Sequence, residues 1–314
     1  MSKRIFISYC HKQGDWVLQR LVPVLRAAGA EILIDHERFK AGRAVVTQMD
    51  NEQDSADMSL LVLTPDYLAS DYCCYEMQRA INRDPDFQQG LTLPVVREKC
   101  ALPAAIKSPN PLYADLQDDN NPTQWQLVLD ACETDLGCCA TAWLAARDDL
   151  VRQLRRGHSV NLVVPHLSDH STPGWRALVD HIERDKLPEF GVLDMQSGST
   201  VTRRQFVAEM LKTIGITKPV PAEPDDLVYF TNTLEGRAQP LQIALLRFDI
   251  VADRVSRTPS YNLDLFAALR HLITEKRKLV LLIHSRTPYI ELLPTNHPLS
   301  SITDLKTIEL RGQK

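Results

Sequence analysis

Ser70-Asp71-Tyr72-Cys73-Cys74-Tyr75-Glu76 is the stretch on which the fold of this chain turns. It follows an apolar run, Leu60-Leu61-Val62-Leu63, and a break at Thr64-Pro65-Asp66. It opens a segment of helical character, Glu76-Met77-Gln78-Arg79-Ala80-Ile81. A strand that ends where a helix begins lies at the carboxyl edge of a sheet, and in open α/β folds ligands bind in the crevice outside that edge. Glu76 is then an acid early in a helix, where the dipole and free amides favour an ionised carboxylate. Tyr72 precedes it by one turn. Alone, such a Glu reads as a solvated surface residue; the residues around it argue for more.

Outward from this stretch, strand and helix signals alternate. Arg4-Ile5-Phe6-Ile7-Ser8-Tyr9 is a β-branched and aromatic run that predicts a buried strand, and 10–15 is polar and turn-like. Trp16, Val17, Leu21, Leu25 and Ala28 recur at helical spacing, with Gly29 as a natural stop. Pro23 inside that helix should bend it or cost about 3 kcal/mol. Glu31-Ile32-Leu33-Ile34-Asp35 predicts a second strand, 36–43 a mixed-charge loop, 44–57 a polar helix and 59–64 a third strand. Leu91-Thr92-Leu93-Pro94-Val95-Val96 is a fourth, with Pro94 hinting at a sheet edge. Residues 100–122 read as loop and 124–132 as a closing helix. This alternation implies a parallel, doubly wound α/β sheet.

At 314 residues the chain suggests two domains, on a prior of roughly 150 residues each. Apolar residues make up 44% and charged residues 24%, as in an ordinary globular protein. No apolar run approaches the ~18 residues that span a bilayer. Met1-Ser2-Lys3-Arg4 leads into a strand with no signal-peptide h-region, so no membrane association is expected. The seven cysteines are odd in number, include two adjacent pairs and show no CxxC spacing. That pattern fits neither a disulfide framework nor a zinc site, and it suits a reducing, cytoplasmic setting. All seven precede residue 140, which places a domain boundary there: 1–136, then 140–314. The first 135 residues hold 13 basic and 20 acidic side chains, the remainder 23 and 20. Neither part is basic enough for a nucleic-acid footprint.

Three segments of the first domain carry a resemblance: Phe6-Ile7-Ser8-Tyr9, then Asp35-His36-Glu37-Arg38-Phe39-Lys40-Ala41-Gly42, then Ser70-x-Tyr72-Cys73-x-x-Glu76. In order and spacing they resemble the signature segments of a Toll/interleukin-receptor (TIR) domain of bacterial type. The resemblance implies a flavodoxin-like parallel sheet. It also implies either cleavage of NAD+ between nicotinamide and ribose or service as a protein-interaction module. The family's catalytic glutamate falls on Glu76, and its preceding aromatic, usually Trp, is Tyr72 here. Ser8, Tyr9 and Cys10, with Asp35, Tyr72 and Cys73, correspond to the substrate cleft. His36, Glu37, Arg38, Phe39, Gly42 and Arg43 fall in the loop that mediates TIR–TIR assembly and helps complete a neighbouring subunit's site. The family's late Phe-Trp pair is not visible, as is common in bacterial-type members.

The chemistry fits that resemblance. Breaking the ribose–nicotinamide bond leaves an oxocarbenium-like ribosyl cation, as in glycoside cleavage. Nicotinamide leaves neutral, so one carboxylate and an aromatic wall suffice. Cys73 and Cys74 raise a thiol-nucleophile alternative, but neither has a nearby His in sequence, and small buried helix cysteines are the simpler reading. Ser8 and Asp35 are either polar cleft contacts or strand-end caps; His11 and His36 read as loop histidines.

The second domain also reads as α/β, with helices at 140–156, 173–182, 202–214 and 262–275. Strands are predicted at 159–164, 190–195, 243–249, 279–284 and 307–310, with a linker-like stretch at 218–224. The layout weakly resembles a P-loop nucleotide-binding core, the strand ending at Asp249 standing where a magnesium-binding Asp would be. The phosphate loop is missing: Pro165-His166-Leu167-Ser168-Asp169-His170-Ser171-Thr172-Pro173-Gly174 has neither the glycines nor the lysine of GxxxxGK[ST]. His166 and His170, bracketed by prolines, read as loop rather than a metal site. The expectation is a degenerate module that assembles the protein or senses an activating protein or ligand. The whole chain is expected to be an NAD+ glycohydrolase gated by TIR self-association, with NAD+ as substrate and no cofactor or metal. The rival is a non-catalytic TIR scaffold or adaptor, which has no need to retain Glu76.

Overall fold

The computed structural model describes residues 2–34, 45–164, 178–179, 182, 190–251, 254, 261–294, 296–302 and 305–310, the side chains of 45–49 excepted. The chain divides into two compact units, Met1–Leu144 and Ala145–Gly312. The division falls inside a helix, Ala140–Arg155, a few residues past the point where cysteines cease.

The first unit holds one sheet of five parallel strands: β1 (Arg4–Tyr9), β2 (Glu31–Leu33), β3 (Met58–Leu63), β4 (Thr92–Val96) and β5 (Ala114–Asp115). Their order is β2-β1-β3-β4-β5. This is the flavodoxin-type order, in which winding reverses between β1 and β3 and opens a crevice at their carboxyl ends. β3, Met-Ser-Leu-Leu-Val-Leu, is buried along its whole length, as expected of a parallel strand covered on both faces. It pairs with β1 from Ile5↔Met58 to Tyr9↔Val62.

The helices of this unit follow from their caps and apolar spacing. α1 (Val22–Ala27) continues a helical run that starts at Gly14–Trp16 and widens into a π-helical turn at Val17–Leu21. Pro23 sits just after that turn, where the wider coil spares the ring a clash with the preceding carbonyl. Gly29 ends the run at φ 94, a conformation glycine adopts without steric cost. α2 (Val45–Ser55) precedes β3, and the short α3 (Pro65–Leu68) follows it. α4 (Asp71–Arg83) is capped by Ser70, whose hydroxyl accepts from Cys73 N at 3.3 Å. Its buried residues Cys73, Glu76, Met77, Ala80 and Ile81 recur at helical spacing on one face. α5 (Ala104–Lys107) and α6 (Pro122–Ala131) complete the unit.

Two expectations are corrected here. β4 is not an edge strand, because β5 lies beyond it; β5 pairs only with Val95 and Val96, past Pro94, so no ladder bond is asked of the proline. Residues 100–122 are not all loop: they contain α5 and β5, each too short to leave a periodic signal.

The second unit has a separate parallel sheet: β6 (Val160–Val163), β7 (Phe190–Asp194), β8 (Leu241–Leu246), β9 (Leu279–Ser285) and β10 (Lys306–Glu309). The order is β10-β6-β9-β8-β7. With α7 (Ala140–Arg155), α8 (Arg203–Lys212), α9 (Asp225–Glu235), α10 (Leu263–Arg270) and α11 (Tyr289–Leu292), it makes a second α/β body. Asn161 is fully buried and satisfied: its amide donates to Ile283 O (3.0 Å) and Ser285 Oγ (2.8 Å), and its oxygen accepts from Tyr289 N (2.9 Å). Arg203 forks onto Asp226 at 2.9 and 2.8 Å, both groups buried. Gly191 is required on space alone, since a Cβ there meets Thr213 at 2.7 Å.

The expected strand 243–249 stops at Leu246. Arg247 turns the chain away at φ 58, so Asp249 lies beyond the strand, accepting from Arg286 N at 2.9 Å. Asp249 therefore does not stand at the strand position of a magnesium-binding Asp. The missing phosphate loop, His166 and His170 lie outside the described residues.

Candidate active site at the switch point of the first sheet

A cleft of about 290 Å³ opens at the carboxyl end of β1, where the winding reverses. One wall is the end of β1 and the turn after it, Tyr9, Cys10, His11 and Lys12. The other is the start of α4, with Ser70, Tyr72, Cys73 and Glu76. Tyr72 and Glu76 are four residues apart on a helix and so share a face. Tyr72 is partly exposed at the rim, whereas Glu76 is buried at 6% exposure.

A buried carboxylate needs partners, and Glu76 has them. Ser8 Oγ donates a short hydrogen bond to Glu76 Oε2. Ser8 Oγ also lies 2.7 Å from the hydroxyl of Tyr67. Ser8 has one proton and gives it to the carboxylate, so Tyr67 is the donor to Ser8. Burial raises the Tyr67 phenol well above its usual value, which keeps that proton in place. The result is a one-way relay, Tyr67 to Ser8 to Glu76. Behind it, Gln53 of α2 donates from Nε2 to the backbone carbonyl of Glu76 at 3.0 Å. Arg79 Nε donates to the Gln53 amide oxygen at 3.2 Å.

Cys73 faces the same cleft, and its Sγ lies 3.8 Å from Tyr9 O. Burial pushes its thiol up to about 11, so it stays protonated near neutral pH and is a poor nucleophile. At the mouth, Lys12 pairs with Asp66 at 2.7 Å, and the His11 ring meets Tyr9 edge-on at 6.0 Å between centroids.

Measured against the sequence, Glu76, Tyr9, Cys10, Tyr72 and Cys73 converge on one cleft. Ser8 is not a wall of it; it stands behind Glu76 as a support. Glu76 is also one turn deeper than expected: α4 starts at Asp71, so Ser8, rather than the free amides of the helix start, holds the carboxylate. Asp35, His36, Glu37, Arg38, Phe39, Gly42 and Arg43 lie outside the described residues. Two contributors escaped the sequence reading, Tyr67 and Gln53, and His11, read as a loop histidine, lines the cleft. Tyr67 sat in what reads as a break; in fact Thr64 caps α3 by accepting from Tyr67 N at 3.0 Å, which turns that ring inward. A Thr-Pro-Asp start was the available signal. Gln53 carried none.

Residues 5–129 match the family model for the TIR domain, so the first unit carries a TIR domain. Over 72 residues the chain is 32% identical to Toll-like receptor 6 of Bos taurus and of Homo sapiens, covering 23% of this chain and 9% of each receptor. Over 99 residues it is 28% identical to the uncharacterized protein y4lF of Sinorhizobium fredii (strain NBRC 101917 / NGR234), covering 31% of this chain and 30% of that one. The chain thus spans less than a third of the length of these relatives. The TIR domain of the Toll-related receptor TRR-2 from Hydra magnipapillata superposes with a TM-score of 0.37 at 18% identity, covering 41% of this chain and 97% of that domain. Among the described residues no helix is long and apolar enough to cross a membrane.

Proposed function

We propose that the first unit is an NAD+ glycohydrolase, in which water and NAD+ give nicotinamide, ADP-ribose and a proton. The observation that carries this reading is Glu76, a buried carboxylate held by Ser8 at the switch-point cleft. Beneath a ribose, that carboxylate stabilises the ribosyl cation as the bond to nicotinamide breaks. Tyr72 offers a face for the nicotinamide ring, and Lys12 with His11 at the mouth suits the diphosphate. At about 290 Å³ the cleft is small for a whole dinucleotide. It holds the nicotinamide riboside end and leaves the rest outside. A neighbouring TIR domain then completes the site through its 35–43 loop, so activity depends on assembly. The second unit governs that assembly in answer to an activating protein or ligand, in a cytoplasmic defence or signalling setting such as bacterial resistance to phage. The names of the receptor relatives favour a second reading, a non-catalytic TIR scaffold that signals by self-association.

Nicotinamide release by the purified chain over a protein concentration series separates the two. The glycohydrolase reading expects release that rises faster than linearly with protein and falls by about 100-fold or more in Glu76→Gln. Equal release from both proteins removes Glu76 from the chemistry. An assembled protein that releases none is a scaffold.

A further inference from the structure

The first unit contains a second and larger cavity, about 700 Å³, at the opposite edge of the same sheet. Its floor is formed by Met58, Thr92 and Leu93, the residues with which β3 and β4 begin. This volume lies within the range of preformed small-molecule sites. Phe87 and Asn110, on two different loops, face it from left-handed backbone conformations at φ 53 and 51. For Phe87 that conformation costs roughly 1–2 kcal/mol. The buried carboxylate of Asp84 holds the loop by accepting from the amides of Gln88 (2.9 Å), Gln89 (3.1 Å) and Leu91 (3.2 Å).

The chemistry of the lining is one-sided. Phe87, Leu93 and Leu112 make it apolar, with Leu112 77% exposed at the rim. Its only charged side chains are two carboxylates, Asp86 and Asp130. Asp130 accepts from Gln126 Nε2 at 2.7 Å, and neither carboxylate has an ion pair among the described residues. Two acids without ion-pair partners at the rim of an apolar cavity set a negative potential there. We propose that this cavity binds a small organic cation, an amine carried on an apolar, ring-sized body. The ring fills the space over Leu93 and the ammonium meets Asp86 and Asp130. This site is independent of the reaction proposed at the carboxyl edge.

Three probes of one shape and different charge test it on the full chain: tryptamine, the neutral indole-3-ethanol, and indole-3-acetate. Amide resonances report where each binds. The expected result is that tryptamine shifts Leu93, Asn110 and Gln126 and binds at least about 10-fold more tightly than indole-3-acetate, with the alcohol between them. The preference should vanish in Asp86→Asn/Asp130→Asn, two exposed positions whose change leaves the fold intact. The proposal is overturned if no lining amide moves at millimolar probe, if the three bind equally, or if the shifts map to the Glu76 cleft instead.

Discussion

Ser8 is the residue on which the candidate site depends, because it bonds two buried groups at once. Ser8→Ala removes the bond to Glu76 and leaves the buried Tyr67 hydroxyl without its acceptor, at a cost of about 2 kcal/mol, more than the ordinary worth of a hydrogen bond. Tyr67→Phe deletes one donor and leaves Ser8 still bonded to Glu76, so it should cost only about 1 kcal/mol. The double variant should then be more stable than the two losses summed, with a coupling of at least ~0.5 kcal/mol. Urea unfolding of the four proteins measures all of this; strict additivity would mean that the relay is not a unit. Glu76 and Tyr72 were legible in the sequence from their place at a strand-to-helix edge, and Tyr9 and Cys73 through the TIR resemblance. Tyr67 was not, since its role depends on a ring turned inward by a four-residue helix, and the bond from Ser8 to Glu76 joins residues 68 apart, which no local pattern shows.

At the scale of elements, α2 and α4 are joined by a polar seam. Gln53 bonds the Glu76 carbonyl, Arg79 reaches Gln53 and Asp54, and Arg83 donates to the carbonyls of Gln53 (2.9 Å) and Ala56 (2.9 Å). α2 follows directly in sequence on the loop expected to mediate assembly, and α4 carries Glu76. Gln53→Leu removes both amide contacts from a site only 1% exposed, and should destabilise the first unit by about 1–3 kcal/mol. Gln78→Ala, on the exposed face of α4, should change it by less than about 0.5 kcal/mol. Thermal melts of the two variants decide the matter; equal shifts would mean that the seam contributes nothing. The strands and long helices could be read beforehand because burial on both faces makes parallel strands continuous apolar runs, as in Leu60-Leu61-Val62-Leu63. The seam could not, because Gln, Arg and Asp on a polar helix give the same pattern whether they meet a partner helix or water.

For the whole molecule, two compact units with one sheet each should unfold as separate steps. The second should be sensitive to acid through His297, which is buried with its ring tilted against Phe266 at 4.4 Å between centroids. Burial lowers the pKa of this imidazole below 6.5, so as pH falls the unfolded chain takes up its proton first. The stability tied to His297 is therefore intact above about pH 6.5 and lost below it, by at most about 1.4 kcal/mol per pH unit. His297→Asn keeps a side-chain acceptor for the Leu299 amide and cannot titrate, so its melting temperature should fall less between pH 7 and pH 5. An identical fall in both proteins would refute the assignment. The existence of a second α/β body was legible in the sequence. Its strand order was not, because order depends on pairings between distant segments. That order has a meaning in time. The first unit has all its strands once Asp115 has been made, whereas β6 waits for β9 and β10: Asn161 and its partner Ile283 are 122 residues apart. At roughly 5–20 residues per second of synthesis, β6 spends on the order of 10 s with both hydrogen-bonding edges open. The second unit is thus the later to mature on the ribosome, and the one most exposed to aggregation before it closes.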